Sequence, residues 1–289
     1  MNHFHDGGNG MRTSKLGAMR HVWTDFPPER LRPAKAGRSV SVCLPARDEE
    51  ATVGTVVAGL AEAGRRSGLV DEVVVVDDGS SDGTAGVARS AGAVVVAAGD
   101  VRPDLGPGTG KGEALWKALH AATGDLLVFC DADLRDVHDG YVTGLLGPLL
   151  LDERVGFVKA CYDRPRDGTP GEGGRVTELV ARPLISLLFP HLAGIEQPLG
   201  GEFAARREVL EAVPFVQGYG VDIALLIDVA ARIGVGAVAQ VDLGVRLHRH
   251  RTLDELRPQA LAVIHAALAR AGVAVGGPVS ERPPLAGIR

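Results

Sequence analysis

The sequence predicts an α/β fold, a doubly wound, mostly parallel sheet flanked by helices. Three observations carry that expectation. Short, largely apolar runs at Ser39–Leu44, Glu72–Val76 and Leu126–Cys130 have the length and composition of strands buried on both faces. Helical patterns separate the runs, and residues 39–97 read strand–helix–strand–helix–strand. Each run also ends in a polar turn rich in Asp, Glu, Gly or Ser, and such sheets gather their ligands where the strands end.

Composition narrows the class. The 289 residues, 45% apolar and 23% charged, suit an ordinary globular chain with a full core, as one large domain or two joined halves. A net charge of −5 leaves no basic footprint, so nucleic acid is not an expected partner. Basic residues cluster locally instead, in His248-Arg249-His250-Arg251, which suits a small anion. Cys43, Cys130 and Cys161 are expected to be free thiols in a reducing cytosol, and no Cys/His spacing resembles a zinc site. The N-terminus carries no signal-peptide core, and no window reaches membrane-spanning length without charges or breakers. The expectation is a cytoplasmic protein with no membrane insertion.

In chain order, residues 1–37 read as a flexible N-terminal tail with a short docking segment around Trp23. Strand Ser39–Leu44 runs into Pro45-Ala46-Arg47-Asp48-Glu49-Glu50, whose acids suit the positive end of a helix over about 50–66. Strand Glu72–Val76 runs into Asp77-Asp78-Gly79-Ser80-Ser81-Asp82-Gly83-Thr84, which opens a helix to about residue 91. Ala93–Ala97 is a third strand. Gly106–Gly112 fails the phosphate-loop pattern, since its first Gly is one residue too close and Gly112 replaces Ser/Thr. Lys111 nevertheless sits at the start of the helix Glu113–Ala122, where a bound anion would offset its clash with the helix dipole.

The apolar run Leu126–Cys130 ends in Asp131-Ala132-Asp133. Two carboxylates held this close at a rigid strand end repel unless a cation sits between them, and hard oxygen ligands suit Mg²⁺ or Mn²⁺. A helix over 139–151 and a strand at Val155–Cys161 follow. The polar loop Asp163–Gly174 is long enough for a lid, and a helix starts near Arg175, where its free N–H groups form an anion site. Gln197–Glu202 is a tight turn into a strand or short helix, and Asp222 reads most simply as the N-cap of a helix over Ile223–Ile233. Gly236–Leu247 holds one or two strands, Leu253–Ala271 a last helix, and 273–289 a flexible C-terminal tail.

The turns after the first, second and fourth strands, taken together, resemble the nucleotide-sugar half of GT-A glycosyltransferases. Four further stretches narrow the likeness: Gly110–Trp116, Gly174–Leu184, Gly218–Asp222, and Leu243–Arg246 with His248. Over residues 39–272 the chain is similar to the glucosyl-3-phosphoglycerate synthase family of actinobacteria. The resemblance implies a GT-A fold with a nucleotide-sugar-binding half at 38–136 and an acceptor-binding half at 137–272. It implies a retaining, metal-dependent hexosyltransferase, moving glucose from UDP-glucose to the 2-hydroxyl of 3-phosphoglycerate. A homodimer is expected, with the final helix as candidate interface.

Site residues follow from the same resemblance. Pro45, Ala46, Glu49 and Asp78 would contact the uridine side, with Lys111, Asp131 and Ala132. Tyr219, Gly220, Val221 and Asp222 would line the sugar pocket, and Arg246 and Arg251 would close over the diphosphate. Gly174, Arg175, Val176, Thr177 and His250 would hold the acceptor. Asp133 and His248 would ligate Mg²⁺ or Mn²⁺, and Lys111, Asp133 and Asp222 would act in catalysis. Three positions depart from the family: Asp78 stands where Ser is frequent, Asp222 where Glu is common, and His250 where Asn is expected. The Asp222 carboxylate is thereby drawn back on the order of 1.5 Å. GDP-mannose therefore stays open as a rival donor. A polyprenyl-phosphate hexosyltransferase and a non-catalytic nucleotide-sugar sensor stay open beside it.

Overall fold

A computed structural model describes residues 12–13, 18–165, 174–246 and 252–288. Its centre is a nine-stranded sheet in the order β1-β2-β10-β7-β8-β6-β3-β4-β5. The strands are β1 Arg12–Thr13, β2 Met19–Val22, β3 Val40–Ala46, β4 Glu72–Asp77, β5 Val94–Ala97, β6 Leu126–Phe129, β7 Phe157–Asp163, β8 Phe203–Arg206 and β10 Val238–Val245. A separate two-stranded pair joins β9 Phe215–Val216 to β11 Glu281–Arg282. The helices are α1 Pro28–Lys35, α2 Val53–Ser67, α3 Thr84–Ser90, α4 Gly110–Ala121, α5 Gly140–Leu151, α6 Arg182–Leu188, α7 Arg207–Glu211, α8 Val221–Ile233 and α9 Leu253–Arg270.

The expected parallel core is present. β3 pairs in parallel with β4 on one side and β6 on the other, and β4 pairs in parallel with β5. The chain winds outward through β4 and β5, then returns by α4 to lay β6 on the opposite flank of β3. That reversal leaves a crevice beyond the ends of β3 and β6, which is where such sheets bind ligands. Two strands break the pattern: the edge strand β1 runs antiparallel to β2, and β8 lies between β6 and β7, antiparallel to both, which makes the sheet mixed. Phe129, Phe157 and Phe203 stack across this junction, with centroids 4.7 and 5.4 Å apart.

Two acid-rich turns lock together beside the crevice. Ser81 N–H donates to Asp48 Oδ1 at 2.7 Å, Glu49 N–H to Thr84 Oγ1 at 2.8 Å, and Gly83 N–H to Glu50 Oε2 at 3.0 Å. The Asp48 and Glu50 carboxylates thus satisfy backbone N–H groups of the second turn, and the Thr84 hydroxyl satisfies one of the first.

Several expectations need correction. Residues 18–37 are no tail: β2 pairs in parallel with β10, Leu31 on α1 is wholly buried, and Phe26 packs against Gly147 of α5. Residues 273–288 are no free tail either, because β11 pairs with β9 and Leu285 is buried. The helix expected after Gly174 has a wide π turn at Thr177–Ala181 before α6, where Pro183 lacks the N–H that a regular turn would use. Asp222 is not an N-cap; Gly220 takes that place and Asp222 lies in the first turn of α8. Thr252 caps α9, its side chain accepting from Glu255 N–H while Glu255 accepts from Thr252 N–H. No helix among the described residues is long and apolar enough to cross a membrane.

If α1 belongs to the core, Leu31→Ala should cost about 2–5 kcal/mol, the usual range for a buried leucine. Urea unfolding measures it; a loss near zero would restore the tail.

Candidate active site

The crevice opens into a cavity of about 540 Å³. Its sheet side is built from the ends of three strands: Pro45 and Ala46 closing β3 with Glu49 beyond it, Asp78 after β4, and Asp131, Ala132 and Asp133 after β6. Gly174, Arg175, Val176 and Thr177 line the same cavity, as do Lys111, Tyr219, Asp222 and Arg246, with Arg47 and Arg164 among the further lining residues. The fold thus brings together residues up to about two hundred positions apart. Gly220 and Val221 do not line the cavity. α9 packs so closely on Gly220 that the chain turns inward there, and Val221 is fully buried. His248, His250 and Arg251 lie outside the described residues, so their expected roles are not placed by this structure.

Beneath the acidic pair lies a dense charge cluster. Lys111 Nζ sits 3.1 Å from Asp131 Oδ1 and 3.1 Å from Asp222 Oδ2. Arg246 spans the pair from the other side, with Nη2 2.9 Å from Asp131 Oδ2, 3.3 Å from Asp133 Oδ1 and 3.1 Å from Glu202 Oε1. Glu202 is wholly buried and accepts a 2.6 Å bond from the Tyr162 hydroxyl. That hydroxyl accepts in turn from Arg164 at 2.7 Å and Arg246 at 3.0 Å. Burial would raise the Asp131 carboxyl, but Lys111 and Arg246 outweigh it and hold Asp131 well below the usual carboxylate range. Burial works against Lys111 too, and the facing Asp131 and Asp222 keep it charged. Glu202 is pushed up, first by burial.

Sequence reasoning missed Glu202, Tyr162, Arg164 and Lys159. Lys159 is the most telling. It sits in the middle of β7, buried, with its ammonium donating to the Gly200 carbonyl and lying over the Phe203 ring. A lysine inside a buried strand, and a glutamate between Gly201 and Phe203, were the available signals. Gly201 is required, because a Cβ there would strike the Asp131 carboxylate.

The donor set fits a hard divalent cation. Both Asp131 oxygens are engaged by Lys111 and Arg246, whereas the Asp133 side chain is 38% exposed against 23% for Asp131. Asp133 is therefore the carboxylate open to the cleft. No group of three His, Cys, Asp or Glu ligands assembles among the described residues. A site of one carboxylate completed by substrate phosphates is the arrangement Mg²⁺ favours. Asp222 Oδ1 is buried without a hydrogen-bond partner among the described residues, an acceptor left for a ligand hydroxyl.

A switch-point crevice of this shape, lined by an acidic pair together with cationic groups, defines a metal-dependent glycosyltransferase of the GT-A fold. The chain belongs to glycosyl transferase family 2, whose family model matches residues 41–213, and within it to the glucosyl-3-phosphoglycerate synthase family. It is 46% identical to the glucosyl-3-phosphoglycerate synthase of Mycolicibacterium paratuberculosis over 286 residues, covering 93% of this chain and 85% of that one. Against the Mycolicibacterium smegmatis synthase the identity is 50% over 271 residues, covering 90% and 89%. The crystal structure of the Mycobacterium tuberculosis synthase with Mn²⁺, UDP-glucose and phosphoglyceric acid matches with a TM-score of 0.84 and 45% identity, covering 91% of this chain and 96% of that one.

Burial brings the Lys159 ammonium down to about 8, from an ordinary 10.5. Between those values the unfolded chain holds a proton that the folded chain has shed, so this residue's contribution to stability rises with pH across that window. The stability of wild type relative to Lys159→Met should therefore climb from pH 8 to 10.5 and be flat below it. Urea unfolding at several pH values measures this; a difference independent of pH would contradict it.

Proposed function

We propose that this chain transfers glucose from UDP-glucose to 3-phosphoglycerate, giving glucosyl-3-phosphoglycerate and UDP, with retention at the anomeric carbon. One observation carries the reading: a single cavity lined by both a carboxylate pair and an arginine-bearing helix start. The first suits the metal-bound diphosphate of a sugar donor. The second suits a small acceptor carrying both phosphate and carboxylate. The solved relative contains that set of ligands. 3-Phosphoglycerate offers one free hydroxyl, on C2, so the site of transfer follows from its chemistry. The chain would work in the cytoplasm, where Cys43, Cys130 and Cys161, all free and buried, stay reduced.

Each residue then has a physical task. Pro45, Ala46, Glu49 and Asp78 form the nucleoside end of the cleft. Asp133, with His248, would hold Mg²⁺ or Mn²⁺, which when bound supplies positive charge to the departing diphosphate. Arg246 and Lys111 add fixed cations beside the same oxygens, where negative charge grows as the C1–O bond breaks. Asp222, anchored through Oδ2 by Lys111, keeps Oδ1 to accept from a glucose hydroxyl. Arg175 and Thr177, at the start of their helix, would grip the acceptor anion. The glucose C1–oxygen bond to the diphosphate breaks, the C2 oxygen of the acceptor bonds to C1 on the same face, and its proton passes to the departing phosphate. No protein carboxylate is assigned as nucleophile.

The test is a donor-by-acceptor assay with purified protein. UDP-glucose with 3-phosphoglycerate should give an α-linked product by NMR, abolished by EDTA and restored by Mg²⁺ or Mn²⁺. Arg175→Ala should raise the KM for 3-phosphoglycerate about 10- to 100-fold, as expected for losing a charge-assisted contact, with the donor KM little changed. Preference for GDP-mannose would replace the donor. Tight donor binding without turnover would make the protein a sensor.

A further inference from the structure

The C-terminal segment reaches the donor side of the cleft without lining it. β11 pairs antiparallel with β9, Arg282 opposite Phe215, and Gln217 N–H donates to the Ser280 carbonyl at 2.9 Å. From this strand the Arg282 side chain, only 7% exposed, forks onto Glu113 of α4, with Nε 2.6 Å from Oε2 and Nη2 2.8 Å from Oε1. The same guanidinium donates to the Leu105 and Gly106 carbonyls at 2.7 and 2.8 Å. Trp116 Nε1 closes the arrangement with a 3.0 Å bond to the Pro283 carbonyl. One side chain therefore ties together the strand that leads into Tyr219–Asp222, the helix α4 that carries Lys111 in its first turn, and the loop before that helix.

Those segments meet with no slack. Gly218 N–H donates to the Thr109 carbonyl at 3.2 Å. A Cβ on Gly110 would lie 3.0 Å from Gly218 Cα, and one on Gly112 would overlap the Val216 carbonyl oxygen. At this seam Lys111 meets Asp222 at 3.1 Å. Buried ion pairs are weak sources of stability, whereas the planar arginine fork is a strong source of geometry.

We propose that Arg282 is a positioning residue for the donor sugar: through Glu113 and the Leu105–Gly106 carbonyls it sets the spacing of Lys111 and Asp222. On this account Arg282, rather than the C-terminal segment as a whole, supports the donor site from behind. The inference rests on the cleft being the UDP-glucose site. Displacements of about 1 Å in a reacting geometry can cost on the order of 100-fold in rate, so a small relaxation here is kinetically visible.

The test uses the full chain with Arg282→Met, Arg282→Lys and Leu285→Ala. Arg282→Met leaves Glu113 its second partner, Lys117, at 3.2 Å. It should lower kcat/KM for UDP-glucose at least tenfold and weaken UDP binding in the presence of Mn²⁺, with the KM for 3-phosphoglycerate within twofold of wild type. Arg282→Lys, which keeps the charge but cannot reach both carbonyls, should fall between Arg282→Met and wild type. Leu285→Ala loosens the same segment away from the fork and should lower stability with donor kinetics unchanged. Wild-type donor kinetics in folded Arg282→Met would overturn the proposal, as would an equal loss of donor kinetics in Leu285→Ala. If Arg282→Met does not fold, wild-type donor kinetics in Arg282→Lys overturn it. Absence of glucose transfer in the wild type would defeat the underlying reading, whereas turnover by the wild type with unaltered variants would defeat only the positioning role.

Discussion

The site depends on a buried block of opposing charges under the end of β6. Asp131, Asp222 and Glu202 face Lys111, Arg246 and Lys159 in a space largely closed to water. Removing such charges from water is costly, and only close pairing with complementary partners offsets it. That requirement explains features that otherwise look unrelated. Gly201 must lack a side chain because the Asp131 carboxylate fills the space, and Tyr162 must carry a hydroxyl because it serves Glu202, Arg164 and Arg246 at once. The platform is close to neutral before any ligand arrives. A metal and a nucleotide diphosphate, themselves nearly matched in charge, can then dock without disturbing the pairs below.

The sheet supplies the rigidity. β3 and β6 present their turns side by side at the point where the winding reverses, and β8 braces β6 from the other flank. Later in the chain, α8 contributes Asp222 and the end of β10 leads into Arg246. The terminal segments act as clasps on this arrangement, β2 and α1 at one edge and β11 over α4.

What could be read from the sequence was what is local. Strands such as Leu126–Phe129 announce themselves by unbroken apolar residues, and their acidic ends carry the chemistry a few positions on. Asp131 and Asp133 were legible for that reason, Lys111 from its place at a helix start, and Pro45 and Asp78 through the resemblance of their turns to the family; all five line one cavity. The partners of those residues were not legible. Glu202 lies more than seventy positions from Asp131, and Arg282 lies 169 from Glu113, so no periodicity or turn pattern links them. The same holds for β8: an antiparallel strand of four residues carries no mark of where it will insert. The terminal segments look like tails because their composition is polar and rich in Gly and Pro, while their order comes from a few buried anchors, Leu31, Arg282 and Leu285.

The claim at the centre is that Lys111 and Asp222 act as one preorganised unit. A double-mutant cycle of Lys111→Met and Asp222→Asn, read in kcat/KM for UDP-glucose, tests it most directly. The account predicts strong non-additivity, each single change costing nearly as much as both together, with a coupling of about 0.5–3 kcal/mol. Losses that simply add would mean that the two residues serve the donor independently, and the charge block would not be the basis of the site.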